Sequence, residues 1–314
     1  MRVIILGGTG FIGSALCREL RDDGHEIVVL SRRPSKVADI FTRGVIGLQW
    51  DGRTGDNWCH LVEDGSAVVN LAGENIADGR WTEEKRERIQ ASRIHAGQSV
   101  MDGLRRAPGT PAVLIQASAT GFYGPGDAPA DENAPAGNGF LAETAALWEE
   151  STAGVEALGV RRCVVRTSMV LGDGGALERM LPPFRLFLGG PVGDGTQPVP
   201  WIHLADEVGA IRFLMDSPRA SGPYNLVAPD AVDFTAFART LGRVLHRPSW
   251  LRVPGFALRA LFGQMADELL LAGRPVRPTR LLEAGYAFRH PELAETLAAV
   301  LAPGNGAEHV ARRA

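Results

Sequence analysis

Residues 2–20 read "RVIILGGTGFIGSALCREL", and the rest of the architecture can be built around them. "RVIIL" (2–6) is a short apolar run of strand type, and a helical pattern follows over residues 11–23. Between them the glycines satisfy two templates at once, Gly7-x-x-Gly10-x-x-Gly13 and Gly8-x-Gly10-x-x-Gly13. Glycines at this spacing permit a tight strand-to-helix turn and a backbone close enough to touch a pyrophosphate. The helix then offers that group its free N–H donors and the positive end of its dipole. A glycine pattern alone is a weak signal. Here it follows a strand, opens a helix and precedes a second apolar strand at the expected distance. Gly7, Thr9, Gly10, Phe11, Ile12 and Gly13 are therefore expected to cradle a dinucleotide, against the plainer alternative of a structural turn.

The second strand, "EIVVL" (26–30), runs into "SRRP". A binder of NAD usually places Asp or Glu here, about 20 residues past the glycines, to accept from the ribose hydroxyl. This chain has Ser31, Arg32 and Arg33 instead. A carboxylate would repel a 2′-phosphate, whereas a hydroxyl and guanidinium groups bind one with charge-assisted hydrogen bonds. The expected cofactor is NADP(H). The competing reading is two arginines that simply solvate a loop.

The alternation continues. "VIGLQW" (45–50), "AVVNLAG" (67–73), "AVLIQASA" (112–119) and "RRCVVRTSMVLG" (161–172) read as strands three to six, with helices over 81–106 and 140–158. Continuously apolar strands separated by helices imply an α/β chain with a doubly wound parallel sheet, the NAD(P)-binding Rossmann fold. Past residue 170 the texture turns rich in Gly and Pro. Residues 1–167 are expected to form the cofactor domain, with 201–228 returning to it. Residues 168–200 and 229–301 form a smaller substrate-side lobe, and 302–314 a mobile tail.

The totals narrow the class. The chain has 314 residues, 45% hydrophobic and 22% charged, with a net charge of −3, which gives no electrostatic reason to expect nucleic acid or an acidic membrane. Three scattered cysteines read as reduced thiols of a cytoplasmic protein. No stretch has signal-peptide or membrane-span character. Seven histidines show no paired metal-ligand spacing, so no metal is expected. The expected partner is a small-molecule substrate, with a homodimer as an option.

Catalysis is the harder question. In the large short-chain dehydrogenase group, which shares this opening, a Tyr-x-x-x-Lys pair exchanges the proton. Here Phe140 or Leu141 stands at the tyrosine position and Thr144 or Ala145 at the lysine position. The only lysines are Lys36 and Lys85, and none of Tyr123, Tyr224 and Tyr286 has a lysine four residues on. That dyad is excluded. Ser118 and Thr120 remain, at the carboxyl end of the fifth strand where doubly wound sheets place ligands, with Tyr123 on the loop after it. His203 in "PWIHLAD" is a fourth candidate acid or base. Tyr123 is as easily a packed residue, and His203 a hydrogen-bonded structural one. Phe122, Tyr123, Trp81 and Trp201 are candidates for an apolar, aromatic mouth.

"GGTGFIG", "LSRRP", "VVNLAGENI", "ASRI", "VVRTSMVLGDGGAL", "FRLFLGGPVGDGTQPVPWIHLAD", "GPYNLVAP", "RVLHRP" and "RPVRPTRLLEAGYAFRHPEL" occur in that order. Together they resemble the YfcH-like proteins, atypical extended short-chain dehydrogenases called epimerase-family proteins, over residues 1–301. The resemblance implies an NADP-binding Rossmann domain, a C-terminal segment of unknown function over the nicotinamide, and absence of the Tyr-Lys pair as a family trait. Carried over by motif, it implies that Ser31 and Arg32 hold the adenosine 2′-phosphate and that Leu71, Ala72 and Gly73 pass along the cofactor. It implies also that Arg93 reaches the phosphates or ribose and that Val170 meets the nicotinamide end. Two departures, "HAGQ" (95–98) and Gln116, are expected to reshape the pocket. Three functions stay open: an NADP(H)-dependent oxidoreductase or epimerase with an unconventional proton donor, a non-catalytic NADP(H)-binding sensor or scaffold, and a lyase or isomerase that keeps the nucleotide as structure.

Overall fold

The structure, a computed structural model, describes residues 1–302, so the tail expected over 302–314 lies outside it apart from Ala302. The apolar runs form β1 (Arg2–Leu6), β2 (Glu26–Ser31), β3 (Val45–Gln49), β4 (Ala67–Asn70), β5 (Val113–Ala119) and β6 (Arg161–Thr167). Then come β7 (Met169–Gly172), β8 (Pro198–Val199), β9 (Trp201–His203), β10 (Gly222–Leu226) and β11 (Val232–Asp233). Seven of these build one sheet in the order β10-β6-β5-β4-β1-β2-β3, every pairing parallel. The order reverses between β1 and β4, and open α/β sheets bind ligands beyond the carboxyl ends of the strands at such a reversal. The chain has the Rossmann fold.

Both faces are apolar because both are covered. α1 (Phe11–Asp22) lies on one face, with α2 (Ser35–Ile40) beside β3. α3 (Glu83–Arg106) and α4 (Phe140–Glu150) lie on the other. After α5 (Gly175–Arg185), α6 (Leu204–Asp216) returns to pack on α1. The strand period of two is visible in the core: Val3 and Ile5 pack with Leu16 and Ile211, while Ile4 and Leu6 pack with Ala96 and Val100.

Two elements differ from the sequence reading. "RRCVVRTSMVLG" is two strands. At Ser168 both the amide (3.2 Å) and the hydroxyl (2.8 Å) donate to the Leu226 carbonyl, and β7 leaves the main sheet to pair with β9. Of residues 201–228, the sheet strand is β10, and α6 packs over β5 and β6. The helix expected over 140–158 stops at Glu150 and resumes as a 3-10 stretch, Ala153–Leu158. The Ser151 and Thr152 hydroxyls turn back onto the carbonyls of Trp148 and Glu149, at 2.6 and 3.4 Å.

A second core gathers β7, β9, α5, α7 (Phe234–Leu245) and α11 (Leu293–Leu301) around Trp201 and Phe237. Between α7 and α11 run α8 (Gly255–Phe262), α9 (Gln264–Leu269) and α10 (Thr279–Glu283). No helix among the described residues is long and apolar enough to cross a membrane.

Candidate functional site

The glycine turn shows three different uses of a missing side chain. Gly7 takes φ +84°, and the Gly10 N–H donates to its carbonyl at 3.0 Å. A Cβ on Gly8 would lie 2.6 Å from Val29, and one on Gly13 would lie 2.3 Å from the Gly7 carbonyl oxygen. These two glycines bring strand, turn and helix together. Gly10 is different, because a Cβ there would touch only the Gly7 oxygen at 3.3 Å and otherwise project into open space. No side chain caps α1 and no acidic residue sits in its first turn. The free N–H groups and the positive dipole end therefore face that space. The Phe11 ring is used elsewhere. Gly172, Gly174 and Gly175 surround it so closely that a Cβ on any of them would come within 3.0–3.2 Å of the ring. Sequence reasoning missed this joint between α1 and the β7–α5 turn.

At the end of β2 the Ser31 hydroxyl closes a local turn, accepting from the Arg33 N–H at 3.1 Å. Arg32 and Arg33 are exposed, and their guanidinium groups have no hydrogen-bond or ion-pair partner among the described residues. At the end of β4, the Ala72 N–H donates to the Asn70 side chain (3.3 Å), which in turn donates to Gln116 (3.0 Å). Asn70 and Gln116 are both fully buried. Gln116 thus braces the turn from within the sheet. Within "HAGQ", Gly97 lets α3 pass the end of α4, since a Cβ would lie 1.8 Å from the Ser151 hydroxyl. Gly97 and Gln116 both act in packing between elements.

Arg93 lies over Gly73, where a Cβ would come 3.1 Å from its guanidinium carbon. It donates to the carbonyls of Glu74 (3.1 Å) and Ile89 (2.9 Å) and stands 4.9 Å from the Trp148 ring centre. Burial pushes its pKa down to about 10, so it stays a cation at neutral pH. Val170 is buried in β7, paired with Ile202.

The four candidate acids fall into different surroundings. The Ser118 hydroxyl donates to Glu149 at 2.6 Å. Glu149 is held by Arg166 through two hydrogen bonds, 2.8 and 2.9 Å, and Arg166 also donates to the Tyr123 hydroxyl at 2.9 Å. Tyr123 donates onward to Asn225 at 2.6 Å, and the Asn225 N–H reaches Glu132 at 3.0 Å. Arg166 also stacks 3.6 Å from the Phe122 ring centre. Tyr123 is fully buried, and burial pushes its pKa up, which makes the phenol a poorer acid. Ser118 and Tyr123 thus meet in one satisfied buried network. His203 belongs to another cluster: it caps α6 by accepting from the Ala205 N–H at 3.0 Å, and its ring lies 3.9 Å from that of His290. Burial, then His290, push its pKa down to about 4 against the pull of Asp206. Thr120 opens the 3-10 turn Thr120–Tyr123, half-buried, its hydroxyl without a partner among the described residues.

At the two dyad positions stands no ionisable side chain, and the buried Thr144 hydroxyl has no partner among the described residues. Leu141 packs on Gly121, and Thr144 and Ala145 are buried. The four aromatic residues expected to form a mouth divide among three clusters. Trp201 is in the lobe core, Tyr123 with Phe122 in the network, and Trp81 against Phe140 and Met265. Between the two halves run Arg80 to the Ala260 carbonyl (3.4 Å), Arg86 to Gln264 (2.9 Å), Arg179 to Asp78, and Glu268 to the first turn of α4. Glu149, Arg166, Asn225 and Glu268 were not read from the sequence. Only Arg166, a cation inside an apolar strand, carried a local signal.

Residues 3–227 match the model of the NAD dependent epimerase/dehydratase family, and residues 253–300 match the domain of unknown function DUF1731. The "Epimerase family protein SDR39U1 homolog, chloroplastic" of Arabidopsis thaliana is 40% identical, the match covering 96% of this chain and 87% of the relative. "Epimerase family protein YfhF" of Bacillus subtilis is 34% identical, over 96% and 98%. Among solved structures, human epimerase family protein SDR39U1 with NADPH superposes with a TM-score of 0.84 at 35% identity, over 96% of this chain and 99% of the other. A UDP-galactose 4-epimerase, 21% identical with a TM-score of 0.75, shows the shared fold alone. The resemblance read from the motifs holds: the chain belongs to the NAD dependent epimerase/dehydratase family, among the epimerase family proteins that carry DUF1731.

Proposed function

We propose that the chain binds NADP(H) and works on a small molecule as an oxidoreductase or epimerase that lacks the Tyr-x-x-x-Lys dyad. The observation that carries this is the open turn at Gly10, which faces an uncapped helix end, with the unpaired Arg32 and Arg33 at the end of β2. The human relative crystallised with NADPH supports the same cofactor. In this reading Gly7, Thr9, Gly10, Phe11, Ile12 and Gly13 carry the pyrophosphate by backbone, and Ser31, Arg32 and Arg33 take the 2′-phosphate. Leu71, Ala72, Gly73 and Val170 line the cofactor's path, and Arg93 is the cation beside its ribose. Residues 1–167 with 201–228 serve the cofactor, and 168–200 with 229–301 serve the substrate. The protein works in the cytoplasm.

Bound NADP(H) supplies a hydride donor or acceptor. The residues do the rest. Thr120, whose hydroxyl has no partner among the described residues, orients the substrate oxygen by donating to it. Ser118 and Tyr123 hold the β5 end in place through Glu149 and Arg166, and His203, neutral at pH 7, fixes the start of α6. The apolar α4 start, with Phe140 or Leu141 where a tyrosine would stand, excludes water from the reacting face.

A second reading has its own support. Ser118 and Tyr123 are both engaged by buried partners, and no lysine lies beyond Lys85. That favours a non-catalytic NADP(H)-binding sensor or scaffold. A panel of carbonyl compounds and nucleotide sugars, followed by NADPH fluorescence, separates the two. Oxidation of NADPH with any of them supports the enzyme, and tight binding without turnover across the panel supports the sensor.

A further inference from the structure

Large apolar side chains are exposed on the outer side of the smaller lobe. Residues 186–188 are Leu, Phe and Leu, all exposed, with Leu186 at 67%. They lead into a stretch that runs beside residues 251–253: the Leu251 N–H donates to the Gly189 carbonyl (3.3 Å) and the Val253 N–H to that of Pro191 (3.0 Å). This pairing brings Trp250, 74% exposed, and Leu251 beside Leu188, with Phe256, 73% exposed, at the start of α8. Isolated exposed leucines need no explanation, but a contiguous apolar patch marks an interaction surface.

Arginines outnumber the acidic groups around the patch, with Asp194 facing Arg252 and Asp267 paired to Arg259 at 2.7 Å. Residues 234–266 contain five arginines and no Asp or Glu, although the whole chain carries a net charge of −3. Arg185 adjoins Leu186 and Arg252 adjoins Leu251, both exposed, and Arg247 stands 4.6 Å from the Phe187 ring centre. Phe187 and His246 are the only non-glycine residues with positive φ among those described, +65° and +54°, and both lie here. A bulky aromatic residue rarely adopts that backbone, and such positions gather at functional surfaces.

We infer that this face docks on an anionic phospholipid surface. The aromatic and leucine side chains enter the boundary between headgroups and acyl chains, and the guanidinium groups remain at the level of the phosphates. A second copy of the chain suits the face less well. A two-fold interface would set the same patch against itself, and so arginine against arginine. The whole-chain charge concealed this feature, because acidic residues outnumber basic ones over the rest of the chain.

The test uses the full chain with sedimenting vesicles of phosphatidylcholine, alone or with one third phosphatidylglycerol. Trp250 is the one exposed tryptophan of the six, so its emission reports insertion. Expected are binding and a blue shift with the anionic vesicles only, both weakened by raised salt. Arg247→Glu with Arg252→Glu should reduce the binding at least about tenfold, and Phe187→Ser with Trp250→Ser should abolish the binding. Melting followed by circular dichroism checks the fold, and Trp250→Ser alone serves if a double variant is unstable. The inference is overturned if the chain ignores anionic vesicles, or if the variants bind them as well as the wild type does. It is also overturned if light scattering shows a dimer that Phe187→Ser with Trp250→Ser splits, with no vesicle binding.

Discussion

The carboxylate of Glu268 accepts from the backbone N–H of Leu141 at 2.8 Å, and from that of Phe140 at 3.2 Å. Gly139, the residue before α4, has φ +106° and no side chain to do this. A helix whose first turn would hold the catalytic tyrosine of a standard short-chain dehydrogenase is therefore capped from α9, across the chain. Loss of a cap costs about 0.5–2 kcal/mol. Glu268→Ala is expected to lower unfolding stability in urea by about 1 kcal/mol, with Glu268→Gln retaining part of that. Amide exchange at residues 140 and 141 should rise in the Ala variant. Unchanged exchange would mean that the cap does not persist in solution.

Selectivity for NADPH over NADH follows from Arg32 and Arg33. A charge-assisted contact to the 2′-phosphate is worth about 1.5–3 kcal/mol, or roughly ten- to a hundredfold in affinity. Arg32→Ala should weaken NADPH by that factor and leave NADH almost unchanged. Calorimetry with both nucleotides measures it, and equal wild-type affinities would remove the basis of the cofactor assignment.

Gly10→Val probes the other end of the nucleotide. Its Cβ has room, meeting only the Gly7 oxygen at 3.3 Å, and its φ of −81° is open to any residue, so the fold should survive. The valine methyls then fill the space in front of the helix N-terminus. Expected is loss of NADPH binding with an unchanged circular dichroism spectrum. A folded variant with wild-type affinity would place the phosphates elsewhere. Gly13→Val is the contrast, since a Cβ there lies 2.3 Å from backbone and should disturb the fold.

The parts legible in the sequence were those encoded locally. β1 to β6 are each built around an apolar run and so announce themselves, and the glycine turn states its geometry within seven residues. The break at Ser168 was not legible, because it depends on a carbonyl of β10 that lies 58 residues away. The reaction centre was obscured for the same reason. Ser118 and Glu149 are 31 residues apart, and Tyr123 and Asn225 are 102 apart, with nothing around either acceptor to mark it. Residue type suggested acids at the end of β5, but the hydrogen bonds that occupy two of them exist only in three dimensions.

Those hydrogen bonds make a prediction about Tyr123. Tyr123→Phe removes the donor to the Asn225 Oδ1 and the acceptor of one Arg166 nitrogen. Stability should fall by about 1–3 kcal/mol. Given a substrate that turns over, kcat in the still-folded variant should stay within about tenfold, whereas loss of a general acid typically costs about 10²–10⁴-fold. A hundredfold drop in kcat with unchanged melting would make the phenol the proton donor after all. Thr120→Val is the variant expected to slow turnover without a stability cost.

Glu207 gives the pH dependence. It is fully buried in α6, one carboxylate oxygen accepts from the Thr167 hydroxyl at 2.7 Å, and the other has no partner among the described residues. Burial pushes its pKa from an ordinary 4.5 up to about 8. Between those values the folded chain keeps a proton that the unfolded chain has released. Its contribution to stability is therefore fully present below pH 4.5 and is lost as pH rises through about 8. The loss is on the order of a few kcal/mol. His203, held down at about 4, works in the opposite direction between 4 and its ordinary 6.5, where only the unfolded chain holds its proton, but it is common to wild type and Glu207→Gln and so cancels in their difference. Glu207→Gln keeps the shape and the acceptor for Thr167 but has no proton to lose. Urea unfolding at pH 6, 7.5 and 9 should show the wild type losing stability relative to the variant as pH rises. Parallel curves would mean that Glu207 is ionised throughout, and that a cation or water reaches its second oxygen.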